Sequence, residues 1–335
     1  MTAVLALLAL AAPAVPAAAA PCRLAPADQR WIDGALANWR FVERSFLKLS
    51  PAPVPEVVAI GPRCVATTKP VTGRPIVWRG VRHSGQVRLP DGRRVPVGVL
   101  SFAAPAEKGA QPFFAMSTPA IWRAGGVTSE LGLETLMDQV LLHEMAHTRQ
   151  AYWATPVLNA VQARYKLADA TVNDDEVQAR FGKDPAYVAA YERERDLLYA
   201  AVAAPTDAGA RALAGEALAA LRTRRARWFA AEPWWRDFDD VFLQMEGLGQ
   251  WVGYRWFIDG PRRTYAPAVA LEAVRRRRNQ WTQDEGLALM LVVDRLVPGW
   301  QGLAFGERPA LAEELLARAA GEGGYAPSSP AKRPS

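Results

Sequence analysis

The chain has 335 residues, enough to bury a sizeable core as one large domain or two packed lobes. Half of it is apolar, aromatics include 12 tryptophans, and the formal net charge is +6. Low hydrophobicity with extreme charge is therefore excluded, and with it a wholly disordered chain. No run beyond the N-terminus is long and apolar enough to span a membrane.

Residues 1–20 read as a signal peptide. The first charged side chain is Arg23, Val4 to Ala12 is a short apolar run, and Ala18-Ala19-Ala20 supplies a small-residue cleavage site. A periplasmic or secreted protein is expected. Cysteine usage agrees, because Cys22 and Cys64 could close one disulfide in an oxidising compartment. The one dense basic run, Arg275 to Arg278, reads as a solvated helix face, and no nucleic-acid partner is expected for an exported protein.

Ile32, Ala35, Leu36, Trp39 and Val42 recur at helical spacing, so residues 27–47 predict an amphipathic helix, ended by Pro51, Pro53 and Pro55. Short β-type runs follow at 57–60, 75–78, 85–89, Val95 to Phe102 and Phe113 to Met116, with Pro90-Asp91-Gly92 as a turn. They predict a small antiparallel sheet, with Phe113 to Met116 either a buried strand or an edge that could pair with an extended peptide. After Gly125-Gly126 the pattern turns helical. Thr128 or Ser129 could cap a helix whose stripe is Leu133, Leu136, Met137, Val140 and Leu141. Further helices are expected near 155–169, 185–203, 207–229, 237–257, 266–278, 283–296 and 309–319, the second and third as a hairpin. The fold class is α+β and mostly α. A signal peptide (1–20) precedes a helix-plus-sheet lobe (21–126) and a helical lobe (127–320), and residues 321–335 form a disordered tail.

The chemistry sits at His143-Glu144-Met145-Ala146-His147. Positions i and i+4 share one helix face, so two imidazoles can aim at one metal ion. Both continue the apolar stripe inward. Glu144, beside the first of them, is placed to act as general base on a water. Two of the three histidines in the chain fall in this motif, so chance is a poor account of it. A catalytic zinc site commonly has a third protein ligand. The remaining histidine, His83, lies upstream in the sheet region, and no His stands six positions after His147. A carboxylate from a later helix is therefore expected, from Glu194, Glu246 or Glu285. Glu246 lies at the inner margin of an apolar face, where a carboxylate is costly to bury without a cation, and Gly247 would let the motif helix approach. The neighbours of Glu194 (Glu192, Arg193, Arg195) suggest a solvated face. His83 and Tyr254 are conceivable oxyanion donors without a signal of their own.

With these residues the chain resembles the zincins, and among them the gluzincins. Members carry the H-E-x-x-H helix and a third ligand in an E-G-x-x-x-[YW] stretch, which Glu246-Gly247-Leu248-Gly249-Gln250-Trp251 resembles, with Gly249 where Ala is usual. The order of elements over roughly 130–320 is similar to a group of secreted bacterial metallopeptidase-like proteins, in which a glutamate at the position of Glu285 does not bind metal. The resemblance implies one zinc ion on His143, His147 and Glu246, a peptide or protein substrate, and hydrolysis with Glu144 as base. The alternative is an exported zinc-binding envelope protein without turnover.

Overall fold

The structure is a computed structural model that describes residues 22–70, 76–104, 112–167, 173–261, 264–277 and 279–322. The expected signal peptide, and all but the first two residues of the expected tail, lie outside the described residues.

Helix α1 (Pro26–Ser45) buries Trp31, Ile32, Ala35, Leu36, Trp39 and Val42, the face its spacing predicted, and Pro26 opens it where no N–H is needed. Five strands then form one sheet in the order β3 (Arg79–Arg82), β2 (Cys64–Thr67), β1 (Glu56–Ile60), β7 (Phe113–Ser117), β6 (Ser101–Ala104). A separate hairpin joins β4 (Gln86–Arg88) to β5 (Arg94–Pro96). The sheet is mixed, because β1 and β7 run parallel, from Glu56 opposite Phe113 to Ile60 opposite Ser117. Both strands are almost continuously buried, the pattern of parallel strands covered on two faces. The run from Val95 to Phe102 is broken, since Pro96 cannot extend a ladder and the chain bends before β6. Phe113 to Met116 therefore lies inside the sheet, and β6 is the edge beside it. Disulfide Cys22–Cys64, with a Cα–Cα distance of 5.8 Å, ties the segment before α1 to β2.

A short helix α2 (Pro119–Ala124) leads to α3 (Leu133–Tyr165), whose 33 residues absorb the helix expected separately near 155–169. It starts later than the Thr128 or Ser129 cap would place it, after Gly132 at φ 92°, and Ser129 instead accepts from Leu131 N–H in the preceding turn. Pro156 sits inside α3, and Trp153, Ala154 and Val161 on either side of it are buried. The remaining helices are α4 (Glu176–Phe181), α5 (Pro185–Ala203), α6 (Asp207–Trp228), α7 (Trp234–Asp259), α8 (Pro267–Val274), α9 (Trp281–Leu296), α10 (Trp300–Ala304) and α11 (Ala312–Ala320). Asp184 and Thr206 cap α5 and α6, which form the expected hairpin. Arg275 lies just past α8 and pairs with Asp284, so this part of the basic run is not a solvated helix face.

Helix α7 is the hub. It packs against α3 on one side and α9 on the other, and most of its residues are buried. A single core cluster runs from Leu24 through β1 and α3 to Ala319. No helix among the described residues is long and apolar enough to cross a membrane.

Candidate metal centre

One turn of α3 separates His143 from His147, and their Nε2 atoms lie 2.9 Å apart. Glu246 reaches them from α7, with Oε2 3.1 Å from Nε2 of His143 and Oε1 3.3 Å from Nε2 of His147. All three ligand atoms fall within 4.8 Å of one another, and His143 and Glu246 are buried. This group can hold a metal ion. Two imidazole nitrogens and a carboxylate are a borderline-soft donor set, and three protein donors facing a cavity leave a coordination position free.

The approach of α7 to α3 depends on small residues, though not on the one expected. A Cβ on Gly249 would stand 2.5 Å from Nδ1 of His143, and one on Gly253 would stand 2.6 Å from Cγ of Gln139. Gly247 faces the other way, where a Cβ would meet the Gly286 backbone of α9 at 2.3 Å. Gly249, the departure from the family-like stretch, is thus the residue that makes room for the imidazole of His143.

Buried amides hold these groups. Nδ1 of His147 lies 2.8 Å from Oε1 of Gln150, an acceptor that fixes the proton on Nδ1 and turns the Nε2 lone pair inward. Gln283 Nε2 donates to Oε2 of Glu246 at 3.1 Å. Gln250 Nε2 in turn donates to Gln283 Oε1, and Gln139 Nε2 to Gln250 Oε1 at 3.2 Å. The relay crosses α3, α7 and α9 and ends on the carboxylate.

Glu144 lies between this group and the sheet. Its Oε2 accepts the Ala103 backbone N–H of edge strand β6 at 3.0 Å. Ser101, Phe102, Ala103 and Ala104 line one wall of a cavity of about 430 Å³ that also exposes His143, Glu144, His147 and Glu246. Asp174, just before α4, lines the same cavity. Burial would lower the pKa of His147, but the Glu246 carboxylate outweighs it and raises the group to about 9. Glu246 is itself held well below the usual carboxylate range by the two imidazoles, against the opposing effect of burial. Asp174 is pushed up to about 7 by burial and then by the charges of Glu246 and Asp175.

The other candidate ligands lie elsewhere. Glu194 is buried rather than solvated, and Arg224 holds it through Nε at 2.8 Å and Nη2 at 3.2 Å. The same guanidinium donates to Glu285 at 3.0 Å and to Tyr187 Oη at 2.6 Å. Burial, with Glu194 alongside, drives the Glu285 carboxyl far up despite Arg224. His83 pairs with the Gly61 carbonyl at 2.8 Å, and neither it nor Tyr254 lines the cavity. Sequence reasoning missed the glutamines, although Gln139, Gln150 and Gln250 stand three or four positions from His143, His147 and Glu246, on the same helix faces. Gln283 and Asp174 arrive through tertiary packing and leave no such signal.

No protein-family model matches the chain, and neither a curated protein nor a solved structure does.

Proposed function

We propose that the chain is a zinc-dependent peptidase that hydrolyses peptide bonds in the cavity between β6 and the His143–His147–Glu246 group. The observation that carries this reading is the position of Glu144. Its carboxylate shares a cavity with three convergent metal donors and touches the backbone of an edge strand at Ala103. A zinc ion bound there supplies Lewis acidity to a water and to the scissile carbonyl. The residues of the chain do the rest. Glu144 takes the proton of the attacking water on its carboxylate and returns it to the amine as the C–N bond breaks. The outward edge of Ser101–Ala104 offers backbone groups to an extended peptide. Gln283 keeps the Glu246 carboxylate aimed, and Gln150 keeps His147 in its binding tautomer.

We take the protein to be exported, supported by the apolar leader with its Ala18-Ala19-Ala20 site and by the Cys22–Cys64 disulfide. One observation favours a second reading, an exported zinc-binding module without turnover. Ala103 N–H already occupies one Glu144 oxygen. A peptide library separates the two. Cleavage that a chelator abolishes and zinc restores, and that Glu144→Gln lacks while retaining zinc, is expected. Wild-type turnover by Glu144→Gln would refute the assigned base, and bound zinc with no peptide cut would favour the second reading.

A further inference from the structure

Another part of the cavity wall is built where the chain before α4 is clamped onto the start of α9. Thr282 Oγ1 donates to the Asp174 carbonyl at 2.7 Å, and Trp281 N–H donates to Gln178 Oε1 at 3.0 Å. This fixes Asp174 one residue's reach from Gln283, in the cavity that holds His143, His147 and Glu246. Among the described residues no lysine or arginine pairs with its carboxylate. The charges acting on it are Glu246 and Asp175, both repulsive, and His147.

A metal would not cure this imbalance. A dication is already matched by the negative charges of Glu246 and Glu144, and a histidine that binds metal is neutral. Asp174 is then left beside carboxylates in a partly enclosed space, where an uncompensated charge is costly. The same cavity has an apolar side made by Ala151, Ala154, Leu158, Phe242 and Met245. Such a surface suits an aliphatic stem that carries a charge at its tip.

We propose that Asp174 selects peptides that place a cationic group, ammonium or guanidinium, beside it. The inference rests on the peptidase reading of this cleft and names its substrate class. The group has two sources, a lysine or arginine side chain or the free amino terminus of the peptide.

The test uses binding to the zinc-loaded Glu144→Gln protein, read by the anisotropy of hexapeptides dye-labelled at the C-terminus. One peptide is N-acetylated and carries a single lysine, one replaces that lysine by norleucine, and one is neutral with a free amino terminus. A cationic peptide should bind at least about tenfold tighter than the acetylated norleucine peptide, as a charge-assisted contact implies. Adding Asp174→Asn should erase the difference. The acetylated lysine peptide winning assigns the side chain, and the free-amine peptide winning assigns the terminus. Equal binding of all three, or a preference that survives Asp174→Asn, overturns the proposal while leaving the peptidase reading standing if the wild-type protein cuts peptides. Binding of none overturns the proposal, and the peptidase reading falls with it only if the wild-type protein also leaves the peptide library uncut. If Asp174→Asn does not fold, the salt dependence of the cationic peptide's affinity replaces it. The affinity should fall as salt rises from about 0.01 to 0.5 M, and a flat response overturns the proposal.

Discussion

Replacing Gly249 by Ala puts a single methyl group against His143 of the candidate metal centre, and the geometry sets the size of the effect. The new Cβ would lie 2.5 Å from Nδ1, 2.7 Å from Cε1 and 2.8 Å from Cγ of His143. Relief requires the ring to retreat by roughly 1 Å to reach ordinary contact. Metal–ligand distances tolerate only about 0.2 Å, so a ring displaced that far no longer binds well. Overpacking of this kind costs about 1–3 kcal/mol, which falls chiefly on the metal-bound state, where a coordinate bond would hold the ring more tightly than its hydrogen bonds do. Zinc affinity should therefore drop roughly 5- to 150-fold. The metal-free protein should suffer less, since a shift of the imidazole there strains only its hydrogen bonds and Ala stabilises a helix interior over Gly by about 1 kcal/mol. Competition against a chromophoric chelator measures the first quantity, and thermal melting in chelator measures the second. Gly247→Ala is the contrast. Its Cβ would strike Gly286 backbone at 2.3 Å, which cannot rotate away, so it should lower the melting point with and without metal. Wild-type zinc affinity in Gly249→Ala would refute the placement of His143 as a ligand packed on α7.

Three further outcomes are expected. Gln283→Leu removes the donor to Glu246, and zinc should bind about 10- to 100-fold more weakly in the chelator competition, the scale of a lost partner behind a ligand. Arg224→Met leaves Glu194 and Glu285 buried without their cation and should destabilise the fold by roughly 3–5 kcal/mol in urea titration. Zinc content per folded chain should stay unchanged. The metal-free protein should also lose stability with rising pH. His147 is raised from 6.5 to about 9, so the proton it shares with Glu246 stabilises fully below pH 6.5 and is lost as pH climbs through about 9. Over that window zinc, which must displace the proton, should bind more tightly as pH rises, and urea titration and zinc titration at pH 6 and 9 check both signs.

The helices and the motif were legible because each rests on local spacing. The stripe from Ile32 to Val42, and Pro185 and Thr206 at the starts of α5 and α6, all act within a few residues. The pairing of β1 with β7 was not legible, because Glu56–Ile60 and Phe113–Ser117 are far apart in the chain and no local spacing links them. The helix expected separately near 155–169 proved to be the continuation of α3, which carries Pro156 in its interior. At the site, His143, Glu144 and His147 announce themselves by period, and Glu246 by lying on an apolar helix face. Glu194 shows how that logic can mislead. Its charged neighbours suggested solvent, yet Arg224, 30 residues later in the chain, buries it. The role expected of Gly247 falls to Gly249, because one helix face says nothing about which neighbour it meets.

Two long closures of the chain rest on different chemistries. Cys22–Cys64 closes a separation of 42 residues, and the His143–Glu246 contact joins residues 103 apart, around the whole α4–α6 excursion. A metal held there acts as a second clasp on the folded chain, and restraint of the unfolded chain grows with the length of loop closed. The clasps answer to separate reagents. A thiol reductant opens the closure at β2, while a chelator opens the one between α3 and α7. Protein meeting only one of these insults keeps the other fastening, and its resistance to unfolding should be lost in two separate steps.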